Sequence, residues 1–190
     1  KKIYFLDDNF NKKEGRIIRE KSNILGPIKN ISDQYFKNKF RHAFVAIGDS
    51  NLRLSLIKKL KDNNYIVPSL IHPSALVSPS AKIGAGSILL PNSVVCAETH
   101  IGEGVILNTS CSVDHQCNIK NGAHICPGVN IAGEVIIGKK SWIGIGASIK
   151  QCIKIGENVT VGAGAAVVND LPDSVVAVGV PAKISKFNLR

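Results

Sequence analysis

The side chains of this chain that could move a proton or carry a nucleophile are few. Five histidines stand at positions 42, 72, 100, 115 and 124, and an imidazole, titrating at about 6.5, exchanges protons near neutrality. His115 lies in the segment Val113-Asp114-His115-Gln116-Cys117. The five cysteines, Cys96, Cys111, Cys117, Cys126 and Cys152, are odd in number and form no Cys-x-x-Cys pair, so they support neither a disulfide framework nor a zinc site. Two further groups sit where ligands commonly bind: Asp7 and Asp8 after the apolar run Ile3-Tyr4-Phe5-Leu6, and Gly48 after Ala43-Phe44-Val45-Ala46-Ile47. Which of these work together depends on the elements that hold them.

The clearest positioning signal is a repeat. In steps of six from Ile71 the chain reads Ile71, Val77, Ile83, Leu89, Val95, Ile101 and onward to Val161 and Val167, and all seventeen residues are aliphatic. Four residues after each stands a second, mostly small set that includes Ala75, Ala81, Ser87, Ser93, Thr99, Ala123, Ala147 and Ala165. A period of six fits neither an amphipathic helix nor an alternating strand. It is the signature of a hexapeptide β-helix, in which each unit turns its aliphatic residue inward, rounds a corner and stacks on the coil below. Cys111 and Cys117 fall in the inward set, where a buried thiol is inert.

Residues 1–68 lie outside the repeat and read as an α/β domain, with residues 69–190 forming the β-helix. Runs 3–6 and 43–47 are short buried strands by pattern. Asn51–Asn63 reads as a helix capped near Ser50, and Tyr65–Val67 adds a strand. In such folds ligands sit beyond the strand C-termini and at helix starts, which makes Asp7, Asp8 and Gly48 candidates for a nucleotide.

Bulk composition agrees. The chain of 190 residues is 44% hydrophobic, 20% charged and 5% aromatic, with 17 Gly and no Met, a profile of a globular, β-rich protein rather than a disordered one. Its formal charge of +10 is concentrated N-terminally: fifteen Lys and Arg face seven Asp and Glu in residues 1–68, against nine and seven in the rest. That excess suits a phosphorylated ligand or a solvated surface. No aromatic-interleaved basic stripe points to nucleic acid. No signal peptide opens the chain and no apolar run approaches the roughly 20 residues that span a bilayer, so a cytoplasmic protein is expected.

Several segments carry a family likeness: Phe5-Leu6-Asp7-Asp8, Ala46-Ile47-Gly48, Leu70-Ile71-His72-Pro73-Ser74-Ala75, Gly104-Val105-Ile106-Leu107-Asn108-Thr109, Asp114-His115, and Gly179-Val180-Pro181-Ala182-Lys183. With them the whole chain resembles the two-domain sugar acetyltransferases that include the sialic acid O-acetyltransferases and the N-acetyltransferases of UDP-4-amino sugars in bacillosamine and related pathways. The resemblance implies a mainly β fold, a left-handed parallel β-helix preceded by a small Rossmann-like domain. It also implies three hexapeptides per triangular coil, so that residues i and i+18 stack, and a homotrimer with its CoA clefts between subunits. Relatives begin with a strand and a Gly-x-Gly-Gly-His-Gly loop. Here Lys1 directly precedes the later strand, so the domain is expected to be truncated or to have lost part of the nucleotide-sugar pocket.

By the same resemblance the co-substrate is acetyl-CoA, no metal is required, and His115 is the general base. Gly133, stacked over it, supplies the oxyanion N–H. His124, Ile145 and Ala163 match positions that contact acetyl-CoA, and in a trimer His115 of one chain would face His124 or Ile145 of the next. Where many relatives have an acid after the histidine, this chain has Gln116. The eighteen-residue stack places Glu98 and Glu134 on either side of Gln116, so one of them is expected to polarise His115. His42, His72 and His100 read as structural. Lys183, in the closing motif, is the lysine to test against the CoA phosphates, whereas Lys139, Lys140 and Lys186 read as solvated. The implied reaction is N-acetylation of a nucleotide-linked amino sugar for a surface glycan. Its rivals are O-acetylation of sialic acid or a related sugar, and a non-catalytic trimeric scaffold or ligand-binding module.

Overall fold

The computed structural model describes residues 3–8 and 23–187. Of these, 3–8, 23–43 and 59–66 form one compact unit, and 44–58 with 67–187 form another.

In the first unit, strand Tyr4–Phe5 pairs in parallel with Asn23–Ile24. A 3-10 turn at Ile28–Ser32 leads into helix Gln34–Lys39, whose start is capped by Asp33 accepting from the Tyr35 N–H at 2.9 Å. Ile31, Phe36, Leu60 and Tyr65 are its buried apolar residues, and the Tyr65 hydroxyl is satisfied by the Ile31 carbonyl at 3.0 Å. The strand expected at Tyr65–Val67 is reduced to a single bridge, His42 to Ile66.

The second unit is the β-helix. Seventeen two-residue strands run from Leu70–Ile71 to Ala166–Val167, one every six residues. Each of the first fourteen pairs in parallel with the strand eighteen residues on, as in Leu89 with Leu107, Leu107 with Ile125, and Ile125 with Ile143. Three parallel sheets result. The first face contains Leu70–Ile71, His124–Ile125 and Trp142–Ile143; the second contains Leu76–Val77, Ser112–Val113 and Asn130–Ile131; the third contains Lys82–Ile83, Asn118–Ile119 and Ile136–Ile137. The inward residues Leu89, Ile101, Leu107, Ile119, Ile125, Ile137, Ile143, Ile155 and Val161 are fully buried. Each contributes about 1.5–3 kcal/mol through removal of its side chain from water, and this stacked column is the core.

At most corners the second turn residue is left-handed: Asn92, Glu98, Ser110, Gln116, Glu134, Lys140, Cys152 and Asn158 all have φ between 54° and 61° or close to it at 62°. The positive φ of Gln116 and Glu134 is therefore a property of the coil and not a strain peculiar to their positions. The stack ends with Val175–Val178, which extends the first face, and with Lys183–Phe187 antiparallel to it.

Helix Ser50–Asp62 starts one residue earlier than its pattern suggests. Asp49, and not Ser50, is the cap, accepting from the Leu52 N–H at 2.7 Å. Ser50 instead donates its hydroxyl to the Gly122 carbonyl at 2.9 Å. The helix lies on the corner between the third and first faces. There Gly86, Gly104 and Gly122 have positive φ, and a Cβ on any of them would come within 2.7 or 2.8 Å of Ile57 or Leu54. Absent side chains at this corner are what let the helix dock.

Arg53 completes the docking. It is 1% exposed and faces main-chain carbonyls: Nε donates to Gly104 at 2.7 Å, Nη2 to Gly122 at 2.9 Å, and Nη1 to Ile47 at 2.9 Å and Gly48 at 2.6 Å. Burial pulls its pKa below the usual guanidinium value, opposed by the charge of Asp49. This capture explains a difference from the sequence pattern, because residues 43–47 form no strand. The carbonyls of Ile47 and Gly48 turn to the guanidinium rather than to a neighbouring strand.

Candidate active site

His115 and Gln116 occupy a corner between the second and third faces, held by the flanking strands Ser112–Val113 and Asn118–Ile119. The turn is tied locally by the His115 N–H donating to Asp114 Oδ1 at 2.7 Å. Directly above lies Gly133: the Glu134 N–H donates to the His115 carbonyl at 2.9 Å, and a Cβ on Gly133 would stand 2.6 Å from both Cε1 and Nε2 of His115. The imidazole thus rests against the bare Cα of Gly133, and only glycine leaves room for it there. Nε2 is on this side of the ring, while Nδ1 meets Gln116 Oε1 at 3.1 Å. A carbonyl oxygen at Nδ1 fixes that nitrogen as the N–H, which leaves Nε2 with the lone pair that a base needs.

Glu134 and Glu98 do stand in the same corner column as Gln116, each exposed. Among the described hydrogen bonds of the His115 ring, however, none goes to either glutamate; the ring partner is the Gln116 amide. The physical reason is reach: Gln116 is the adjacent residue, whereas each glutamate is a full coil away, a spacing of about 4.8 Å.

His124 lies on a different part of the prism, on the first face, half-buried and edge-on to Trp142 with ring centroids 6.4 Å apart. Its Nε2 is 3.3 Å from Asn108 Nδ2. Asn108 Oδ1 is occupied by the Thr109 N–H at 2.8 Å, so the amide presents its NH2 and Nε2 accepts. Burial, reinforced by the nearby charge of Arg53, holds the His124 pKa below the ordinary histidine value, so this ring is neutral at physiological pH. Neither Asn108 nor Trp142 was picked out as a partner of His124 from sequence. Trp142 follows His124 by eighteen residues, so the stacking register was the signal for that pair.

Ile145 and Ala163 stack at the corner between the first and second faces, both exposed, with the Gly164 N–H donating to the Ile145 carbonyl at 2.8 Å. The adjoining Gly128, Gly146 and Gly164 have no atom within 4 Å of where a Cβ would be, so main chain is open along this edge. Within one chain the His115 corner and the Ile145–Ala163 corner are separated by the whole second face. That face carries a shallow concavity of about 390 Å³ lined by Cys96, Ser112, Asp114, Asn130 and Ser148.

The remaining candidates are dispersed. Asp7 and Asp8 belong to the first unit, where Asp8 Oδ1 accepts from the Ile28 N–H at 2.8 Å. Gly48 belongs to the second unit, with its carbonyl bound to Arg53 and open space beside its Cα. His72 is engaged in its own turn with Ser74, at 2.9 Å between Nδ1 and Oγ. Burial pushes the thiols of Cys111 and Cys126 up to about 12 and about 11, which disfavours the thiolate needed for nucleophilic chemistry. Among the described residues no three His, Cys, Asp or Glu side chains gather as a metal site, and no helix is long and apolar enough to cross a membrane.

An uninterrupted parallel β-helix with a histidine laid on a glycine at one corner defines the chain as a member of the hexapeptide-repeat sugar acetyltransferase family. Residues 134–169 match the family described as bacterial transferase hexapeptide (six repeats). The chain is similar to PerB from Caulobacter crescentus, solved in complex with CoA and GDP-perosamine: 37% identity over 88% of this chain and 81% of that one, with a TM-score of 0.85. It is likewise similar to the acetyltransferase domain of PglB from Neisseria gonorrhoeae, at 36% identity over 96% and 86% of the two chains and a TM-score of 0.88. That domain has also been solved with acetyl coenzyme A. WeeI from Acinetobacter baumannii is 27% identical over 95% and 84%, with a TM-score of 0.84.

Proposed function

We propose that this protein transfers acetyl from acetyl-CoA to the amino group of a nucleotide-linked amino sugar destined for a surface glycan, with His115 as general base. The observation that carries this reading is the placement of His115 Nε2 against Gly133, which puts a proton acceptor beside a main-chain N–H. The unprotonated amine attacks the thioester carbonyl carbon while Nε2 takes its proton. The Gly133 N–H donates to the oxyanion as the tetrahedral centre forms. Collapse breaks the C–S bond, and the departing CoA sulfur recovers the proton from the imidazolium. Gln116 orients the ring at Nδ1. Glu98 and Glu134, flanking Gln116, lend negative charge to the imidazolium through space, an effect kept small by their exposure.

His124, Ile145 and Ala163 would receive the acetyl-CoA, its extended arm lying along the open main-chain edge. Because that edge and His115 lie on different corners of one chain, a complete site calls for a second copy, and a homotrimer with three equivalent clefts meets this need. Asp7, Asp8 and Gly48 are assigned to the nucleotide sugar, and Lys183 to the CoA phosphates. The five unpaired thiols suit the cytoplasm.

The test is release of CoA thiol from acetyl-CoA by wild type and His115→Ala, offered GDP- and UDP-linked amino sugars and, separately, free sialic acid. Turnover of an amino-sugar nucleotide, reduced about 10²- to 10⁴-fold by His115→Ala, supports the proposal. Turnover of sialic acid alone would make it an O-acetyltransferase, and no turnover of any acceptor by wild type would favour a scaffold.

A further inference from the structure

Two buried residues that take no part in the chemistry hold both turns on which it depends. Thr99, 1% exposed, lies one coil beneath the His115 turn. Its hydroxyl donates to the Asp114 carbonyl at 2.6 Å and accepts from the Cys117 N–H at 3.2 Å, so it brackets residues 114–117. Cys117, also 1% exposed, holds the turn one coil higher from one side: its Sγ donates to the Ala132 carbonyl at 3.1 Å, the residue before Gly133.

The device at Thr99 also occurs away from this corner. Ser87 donates to the Gly102 carbonyl at 2.7 Å and accepts from the Val105 N–H at 2.9 Å, and Ser141 does so with Gly156 and Val159 at 2.7 and 3.0 Å. Where alanine stands beneath a corner, the turn closes on itself instead. Above Ala123 the Ser141 N–H reaches the Gly138 carbonyl at 3.3 Å, and above Ala147 the Ala165 N–H reaches Gly162 at 3.3 Å. At Thr99, Ser87 and Ser141 the hydroxyl thus bridges the two inward-facing groups of the turn above and sets their separation, whereas Ser93 donates instead to the Leu90 carbonyl at 2.8 Å and the turns above Ser93 and Cys111 close unaided, as those above alanine do.

We infer that Thr99 and Cys117 are positioning residues for acetyl transfer: stacked one above the other, they fix the distance from the His115 ring to the Gly133 N–H. This rests on the reading of His115 and Gly133 as the base and the oxyanion donor. A displacement of that pair by a fraction of a coil spacing lowers the rate without touching either ligand, since misplacement of reacting groups by about 1 Å can cost 10²-fold.

The experiment compares Thr99→Val, Thr99→Ser, Cys117→Ala, Cys117→Ser and, as a control, Ser87→Ala, which removes the same pair of hydrogen bonds at the helix-bearing corner. Thr99→Val and Cys117→Ala are expected to lower kcat about tenfold or more, with KM for both substrates within about twofold. Thr99→Ser and Cys117→Ser, which keep the donor, should retain most of kcat, and Ser87→Ala should lose thermal stability but not kcat. Histidine-ring NMR supplies a readout independent of turnover: Thr99→Val should move the His115 resonances and leave those of His42 and His72 in place. Wild-type kcat in both Thr99→Val and Cys117→Ala, or an equal loss in Ser87→Ala, overturns the inference. Should Thr99→Val fail to fold, Cys117→Ala against Cys117→Ser decides it alone. If wild type itself turns over no acceptor, the function proposed above fails, and the NMR shift still decides whether Thr99 positions the ring.

Discussion

Gly133 lies one coil above His115, and the imidazole covers its Cα so closely that a methyl group there would sit 2.6 Å from Nε2. Gly133→Ala must therefore push the ring aside. The ring is exposed and can swing outward, so the change is expected to cost little stability and much activity. A fall in kcat of about 10²-fold with a melting temperature within a few degrees of wild type is the expected pair of results, read by CoA-release kinetics and calorimetry. An unchanged kcat would show that the His115–Gly133 stack has no part in the reaction.

Gln116 supplies a neutral oxygen at Nδ1 of His115. Gln116→Glu would place a carboxylate there, which favours the protonated imidazole. The base is then free only at higher pH, so the acid limb of the kcat/KM profile should move upward by about one pH unit, with a higher plateau above it. The double variant Glu98→Gln/Glu134→Gln should move the limb the opposite way and by less, because both glutamates are exposed and a coil distant. Identical profiles for all three proteins would remove electrostatic support of His115 from the mechanism.

His124 has a pKa held down by burial and by Arg53, and the sign of its effect on stability follows. Between its folded pKa and the unfolded value of about 6.5 the unfolded chain binds more protons, so its contribution is intact above about pH 6.5 and is lost as pH falls through the folded pKa. Melting temperatures of wild type and His124→Gln should differ by a constant amount above pH 7, and wild type should lose ground to the variant on acidification. A difference that stays constant down to pH 5 would contradict the lowered pKa.

Arg53 binds four carbonyls through a planar fork that lysine cannot reproduce. Arg53→Met strands those carbonyls and is expected to destabilise the protein by about 3 kcal/mol, and Arg53→Lys should recover only part of this. Denaturant unfolding measures both. Full recovery by lysine would mean that charge, not the fork, matters.

The separation of His115 from Ala163 across the second face leads to a test by mixing. His115→Ala and Ala163→Trp proteins, each inactive alone, should regain activity when unfolded and refolded together, because a cleft formed by an intact His115 and an intact Ala163 edge then exists. Absence of recovery in mixed oligomers verified by mass would place both groups of a site in one chain.

Much of this architecture was legible in the residues. The unbroken period from Ile71 to Val167 announced every coil strand, and counting eighteen from His115 led to Gly133, because a solenoid converts sequence separation directly into height. The segment 43–47 was not legible in the same way. Its apolar run has the composition of a strand, but the carbonyls of Ile47 and Gly48 are claimed by Arg53, and no local pattern records that capture. The partner of His115 Nδ1 was hidden for a related reason. The stack correctly placed Glu98 and Glu134 beside Gln116, yet which side chain reaches the ring is settled by rotamers and reach. Asn108 opposite His124 is similar, since the two are sixteen residues apart and meet only through side-chain geometry.

The helix at Ser50–Asp62 precedes in sequence the corners it packs on, and its Leu54 and Ile57 touch three successive coils at Gly86, Gly104 and Gly122. During synthesis this apolar stripe is complete before the first coil has wound. Each later coil then needs to find only the one eighteen residues before it, a short-range search that keeps the contact order of the solenoid low. The helix is thus placed to serve as a template, giving the stack a defined starting end and the remaining coils a direction in which to grow.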